Sequence, residues 1–400
     1  MRKIIILALL ASGCFSCGVF ESRIDFNQGG PSQSNYYDSI PFDYVRGKII
    51  MPVTIQGDTF NFLFDSGAPT IVSEELQEKF SFGTLGSDTI ADIYSNKNKM
   101  QVVVLDSLSL GDIRFDGMPA IVSKLDALPW ACFNIDGFIG SNLLRESIVK
   151  IDIDEQYIVL SNKLSKVPGY ENMCSLDMVL NYQSSPYIDI SLGNKIEETF
   201  LFDTGSDNFI SLNTAKFKEC REDLSLNNLR NGFGAGSMGL FGTGQESATY
   251  KIRLDSVIFC NFSITDPIVR VNNTASKIGT KILDYGSVIM DYRNEKLLFN
   301  PKESIMAFET LSESEFGFVP VIKNNTFQIG VIWENSLADS LGLEPGYKIL
   351  RINEYDFTTS LAQSFCEVFI EEPLKSADAL NITYKNTKGE KKFIQLIRKE

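Results

Sequence analysis

Phe64-Asp65-Ser66-Gly67-Ala68 is answered 138 residues later by Phe202-Asp203-Thr204-Gly205-Ser206. Each copy is led by an apolar run, Phe62-Leu63-Phe64 and Phe200-Leu201-Phe202, and each is followed by a β-rich stretch. A single Asp-Ser/Thr-Gly is only a turn signal, because all three residue types favour turns for local reasons. Two copies inside a longer internal repeat carry more. Hydrolysis by aspartate needs a pair of carboxylates, and two related halves supply one each.

The repeat extends downstream. Ile139-Gly140-Ser141-Asn142-Leu143-Leu144 matches Ile278-Gly279-Thr280-Lys281-Ile282-Leu283 at an offset of 139. At the same offset Val149-Lys150-Ile151-Asp152 matches Val288-Ile289-Met290-Asp291, and Tyr157-Ile158-Val159-Leu160 matches Lys296-Leu297-Leu298-Phe299. Between these anchors Leu105-Asp106-Ser107 matches Leu254-Asp255-Ser256 at 149, so compensating insertions separate blocks kept in one order. That order argues for duplication. The period is far beyond the roughly 20–50 residues of solenoid repeats, so each copy is expected to be a lobe.

Composition narrows the chemistry. The 400 residues are 44% hydrophobic and 22% charged, enough for a folded chain of several domains. A net charge of -14 offers no basic stripe for phosphates, so no nucleic-acid partner is expected. The acidity itself mainly serves solubility. The chain has no histidine. Histidine-based triads, Cys-His dyads and His-ligated zinc hydrolases are thereby excluded, leaving carboxylates, Lys, Ser or Cys for any hydrolytic step.

Arg2 and Lys3 followed by a short apolar core read as an export signal over residues 1–13. Ala11-Ser12-Gly13-Cys14 resembles a bacterial lipobox, which implies cleavage before Cys14 and lipid on its sulfur; Cys17 is the weaker alternative, and a plain secreted protein is the other reading. Residues 14–40, with Gly29-Gly30-Pro31-Ser32-Gln33-Ser34, read as a flexible tether. Cys132, Cys174, Cys220, Cys260 and Cys366 show no CxxC or metal-like spacing and read as small buried hydrophobes. A disulfide in an oxidising compartment stays open as the alternative, with no partners assignable.

Short apolar runs broken by turn residues about every ten positions predict strands over 41–166 and again over 167–301. Short helices are predicted over 73–80 and 215–222, each just after an Asp-Ser/Thr-Gly turn. Residues 302–314 are polar and linker-like. In 315–400, Ser336-Leu337-Ala338-Asp339-Ser340-Leu341-Gly342-Leu343 and Glu344-Pro345-Gly346-Tyr347-Lys348-Ile349-Leu350-Arg351-Ile352-Asn353 give a helix ended by Gly342, a turn and a strand. This segment resembles a PDZ domain. The resemblance puts the peptide-carboxylate loop at Glu315-Phe316-Gly317-Phe318, making Phe316, Gly317 and Phe318 the candidate peptide-binding residues. Glu315 stands where the family has its first Gly, and Tyr347 where it has Asp.

The two lobes resemble the aspartic peptidases, nearest the retropepsin-like enzymes with both halves on one chain. The matching residues are the two Asp-Ser/Thr-Gly turns, the later Phe138-Ile139-Gly140 with its poorer copy Lys277-Ile278-Gly279, and the closing strands. The fold implied is mostly β: a duplicated bilobal acid-protease barrel fold followed by a small β-rich PDZ-like domain. The resemblance makes Asp65 and Asp203 the catalytic pair, with Ser66 and Thr204 bracing the loops, Gly67 and Gly205 giving close backbone approach, and Ser206 as a donor to Asp203. Such a pair shares a proton and needs neither metal nor cofactor.

The glycine-rich 231–245, with Gly234 and Gly236, and the stretch 83–99, with Tyr94, are the candidate substrate-covering flaps. The expectation is a monomeric, lipid-anchored endopeptidase of the bacterial cell envelope acting on peptide or protein substrates. A peptide-binding protein without turnover and a structural envelope protein are the rival readings.

Overall fold

Residues 24–193, 196–302 and 316–398 are described in the computed structural model. Cys14, Cys17, Glu315 and nearly all of the 302–314 segment lie outside them. The chain is mostly β. Toward the N-terminus Lys48–Ile55 and Asp58–Asp65 form an antiparallel hairpin closed by Gln56 and Gly57, both at positive φ as a two-residue turn requires. A second, longer hairpin, Gly83–Ala91 with Lys97–Leu110, continues into Ile113–Ser123. The strand Gly137–Gly140 then runs parallel to Asp58–Asp65, with Gly140 opposite Asp65.

Residues 167–302 follow the same plan. Pro186–Leu192 pairs with Ile196–Phe202, and Leu226–Gly234 pairs with Ser247–Leu254. Lys277–Ile278 lies parallel to Ile196–Phe202, with Lys277 opposite Leu201 and Ile278 opposite Phe202. Phe62, Phe64, Phe200 and Phe202 share one apolar core. The short helices are Glu74–Phe80 and Thr214–Cys220. Both are started by side chains: Ser73 Oγ accepts from Leu76 N, and Asn213 Oδ1 accepts from Ala215 N.

The matched segments from the two halves meet in one sheet. Ile148–Asp152 pairs antiparallel with Gly286–Asp291, Val149 facing Met290 and Ile151 facing Val288. These are the residues related by the 139 offset, each facing the counterpart of the other. Tyr157–Ser161 and Lys296–Pro301 flank them, and Tyr37–Pro41 and Cys174–Leu180 close the edges.

Tyr37–Pro41 corrects the reading of 14–40 as a free tether. From Ile24 onward the segment is built into the fold: Phe26 is buried, Gly30–Pro31 pairs with the strand Ile113–Ser123, and Tyr36 donates its hydroxyl to Glu146 O at 2.8 Å. Gly and Ser made this stretch look like linker, but many of its hydrogen bonds are spent on partners 74 to 131 residues away.

The last unit has its own core around Phe318, Phe327, Phe365 and Ile382. Its order is a hairpin of Phe318–Lys323 and Thr326–Trp333, a short helix Leu337–Ser340, the strand Lys348–Ile352, a helix Leu361–Glu371, and a hairpin of Ala379–Lys385 and Lys391–Ile397. Thr326–Trp333 also pairs with the strand Leu226–Gly234, Phe233 facing Ile332. From the turn after Asp43–Val45, Arg46 reaches Glu372 at 3.0 Å and lies 4.0 Å over the Phe369 ring.

The cysteines correct a further expectation. Cys132 is bonded to Cys366 and Cys174 to Cys260, leaving buried Cys220 as the free thiol among the described residues. Sequence separations of 234 and 86 explain why no local spacing announced them.

Candidate active site

Two buried apolar runs deliver the two aspartates. Phe62, Leu63 and Phe64 are sealed in the core, so Asp65 emerges at the strand's end, and Phe200–Phe202 do the same for Asp203. The loops that follow are locked to each other. The Ser66 N–H donates to Thr204 Oγ1 at 2.9 Å and the Thr204 N–H to Ser66 Oγ at 3.0 Å. In turn the Ser66 hydroxyl donates to Phe202 O at 2.6 Å and the Thr204 hydroxyl to Phe64 O at 3.0 Å. All four bonds are buried, where an unmade partner costs about 1–3 kcal/mol.

The glycines set how close the loops come. A Cβ on Gly67 would stand 2.8 Å from Asp203 Oδ1, and one on Gly205 would collide with the Asp65 carboxylate. Each carboxylate therefore lies over the other loop's glycine. The downstream glycines thread beside the same loops: Gly140 is pressed against Pro69 and Thr70, Gly279 against Ser206 and Asn208. Ser141 N donates to Ala68 O and Thr280 N to Ser206 O, both at 2.9 Å.

Residues 51–143 match the aspartyl protease family. That span holds Asp65 and ends before Asp203. Among solved structures, basic 7S globulin from soybean aligns with 66% of this chain and 95% of its own, at 10% identity and a TM-score of 0.41. No curated protein matches the chain.

Charge around the matched aspartyl protease motif and its counterpart is uneven. Gly67 N donates to Asp65 Oδ1 at 2.9 Å. Asp65 keeps a partly open face yet is closely surrounded by protein. Burial and the neighbouring Asp203 carboxylate push it up to about 7, with Gly67, Lys48 and Lys277 pulling the other way. Asp203 is buried and its Oδ2 accepts from Lys277 Nζ at 3.0 Å. Burial alone would lower the Lys277 ammonium, but Asp203, with help from Asp65 and Tyr94, outweighs it and the group is raised. The hydrogen bond expected from Ser206 to Asp203 is not among those made; Ser206 gives its backbone N–H to Asp203 O instead. Lys48 Nζ donates to Gly205 O. Asp207, which burial would raise, is held below its usual range by Lys48, Arg270 and Arg46.

The candidate flaps meet. Tyr94 and Ser237 hydrogen-bond through their hydroxyls, the Tyr94 ring lies against Gly244, and Asp92 accepts from Phe241 N at 3.2 Å. Gly234 and Gly236 have a reason other than lid mobility. Side chains there would strike Gly330 O and Val331 Cγ2 of the C-terminal unit. Behind this roof lies a pocket whose wall includes Tyr94, Asn208, Arg270, Val319, Val331 and Trp333.

Phe316 and Phe318 are buried in the core of the last unit. Phe316 O accepts from Ala338 N at 3.0 Å, and Gly317 O from Trp333 N at 3.0 Å and Ser336 Oγ at 3.2 Å.

Lys277, Lys48 and Trp333 were not picked out from sequence as parts of the site. For Lys277 the signal was present: a charge opens Lys277-Ile278-Gly279 where the first copy has Phe138.

Proposed function

We propose that this chain is an aspartic endopeptidase with Asp65 and Asp203 as the pair. The observation that carries this reading is the reciprocal bracing of Ser66 and Thr204, which sets each carboxylate over the opposite glycine. Such an arrangement fits a water held between the two groups. The ionised carboxylate takes a proton as the water oxygen bonds to the scissile carbonyl carbon, and the protonated one gives its proton to the carbonyl oxygen. Collapse of the diol breaks the C–N bond. The first carboxylate then passes its proton to the leaving nitrogen, and the second recovers one from a diol hydroxyl, restoring the starting state.

The 139-residue offset and the exchange-symmetric pairing of Ile148–Asp152 with Gly286–Asp291 support two lobes arising by duplication. The order hairpin, short helix, strand, helix, hairpin supports a PDZ-like module, whose strand Phe318–Lys323 is the natural edge for an added peptide strand. Phe316 and Phe318 then shape its floor from the core side. Two disulfides fit an exported protein. With the lipobox-like Cys14, they support an envelope protein held to a membrane by lipid.

The test incubates the full chain with a diverse peptide library from about pH 3 to 8. Wild type is run beside Asp65→Asn and Asp203→Asn, with pepstatin as a probe. Cleavage by wild type that both variants lose supports the reading, and a folded wild type that cuts nothing at any pH removes it. The buried Lys277–Asp203 contact favours one rival, a peptide-binding protein without turnover. That rival expects peptide retention with no products.

A further inference from the structure

Lys277 occupies a slot where the other half of the molecule carries a buried phenylalanine. Phe138 stands opposite Leu63 in the first parallel ladder, and Lys277 stands opposite Leu201 in the second. Phe138 and Lys277 are both buried. The fold thus accommodates an apolar side chain here. Stability gives little reason for a cation instead, because a buried ion pair is commonly no better than well-packed apolar groups. The ammonium is aimed at one atom, Asp203 Oδ2, at 3.0 Å.

We infer that Lys277 is a positioning residue for the reaction: by pairing with Asp203 it fixes Asp203 as the proton acceptor and Asp65 as the proton carrier. The inference rests on the peptidase reading. In an unaided pair of carboxylates the proton is shared, the roles are interchangeable and the net charge is negative. Here one carboxylate is matched by an ammonium and the other is not. Asp203 takes the proton of the attacking water, and Asp65 gives its own to the carbonyl oxygen.

The other groups facing the pair do not supply this asymmetry. Lys48 approaches from the strand Lys48–Ile55, bonds to Gly205 O, and acts at longer range on Asp65 and Asp207. Tyr94 faces Lys277 from the roof, Tyr187 faces Asp203 from the strand Pro186–Leu192, and Tyr292 faces Asp65. All three tyrosines have their hydroxyls pushed up, chiefly by burial, so they remain neutral. Among the described residues, Lys277 is the cation in direct contact with a carboxylate of the pair.

The sign of the effect follows. A nearby cation favours ionisation of an acid, so removing the Lys277 charge raises the titration of Asp65. The experiment follows carbon-13-labelled aspartate carboxyls by NMR against pH in the full chain, with Asp65→Asn and Asp203→Asn assigning the signals. Wild type is compared with Lys277→Met and Lys277→Arg, and each is also run for a pH–rate profile on a cleaved peptide.

The Met variant is expected to move the Asp65 titration, and the alkaline limb of the rate profile, up by at least about 0.3 of a pH unit, while the Arg variant keeps both near wild type. Lys277→Gln, which keeps a hydrogen bond without the charge, is expected to follow Met and serves if Met does not fold. An unmoved titration, or a rate loss equal at every pH, overturns the inference. The NMR readout needs no turnover. A chain that shifts as expected but cleaves nothing upholds the charge assignment and sinks the peptidase reading; one that cleaves with an unmoved profile does the reverse.

Discussion

Thr204 and Ser66 do more than fill turns, since each hydroxyl both accepts a backbone N–H and donates to a carbonyl of the other lobe. Thr204→Ala leaves a buried N–H and C=O without partners and is expected to cost about 1–3 kcal/mol, read by denaturant unfolding, with cleavage falling at least about tenfold. Thr204→Ser should recover most of both. Asp65 adds a pH signature to stability. Its folded value, about 7, lies above the unfolded carboxylate range. Its contribution is therefore full below the unfolded value and is lost as pH rises through about 7. Melting curves should show wild type losing a few degrees between about pH 5 and 8 more than Asp65→Asn does. The Asp pair itself was legible in the sequence because its environment is written locally: an apolar run, then Asp, a hydroxyl and Gly. The Lys277 contact was not. The sequence marks Lys277 as a charge where the first repeat has Phe138, but its contact with Asp203 appears only once the parallel ladder sets the two side by side.

Helices whose cues are local were read nearly to the residue. Predicted helices over 73–80 and 215–222 became Glu74–Phe80 and Thr214–Cys220, each started by a capping side chain. Tyr37–Pro41 was misread because its ladder partner, Tyr157–Ser161, lies far along the chain and its own alternation is weak. The glycine-rich segment near 231–245 was recognised as special, and Gly232, Gly234 and Gly236 have a second physical reason, since they admit the C-terminal unit. Gly232 makes that concrete, because a Cβ there would stand 2.7 Å from Trp333 Cε3. Gly232→Val is expected to break the pairing of Phe233 with Ile332. Hydrogen exchange should then speed up at least about tenfold across 231–234 and 331–333, while the strand Asp58–Asp65 keeps its protection.

The C-terminal unit is fastened to the rest of the chain on two sides, by the pairing with Leu226–Gly234 on one and by Arg46 and the Cys132–Cys366 bond on the other. A module carried this way moves with the cleft it adjoins, and it walls the pocket with Val319, Val331 and Trp333. Trp333→Ala is accordingly expected to change KM for peptide substrates more than kcat, measured on whichever library peptide is cut best. Breaking Cys132–Cys366 by Cys132→Ser with Cys366→Ser is expected to cost up to about 5 kcal/mol through chain entropy, because the bridge closes a loop of more than two hundred residues. A lower melting temperature for the double variant, with the Cys174–Cys260 bond intact, is the check.

That bridge also changes the covalent topology of the protein. The backbone from Cys132 to Cys366 and the disulfide together form a closed ring, and residues 303–315 lie within it. A protease that cuts anywhere in 303–315 opens the ring without dividing the molecule. The product is a two-chain protein that migrates as one species until a thiol is added, so a processed form would keep its C-terminal module for as long as its surroundings stay oxidising.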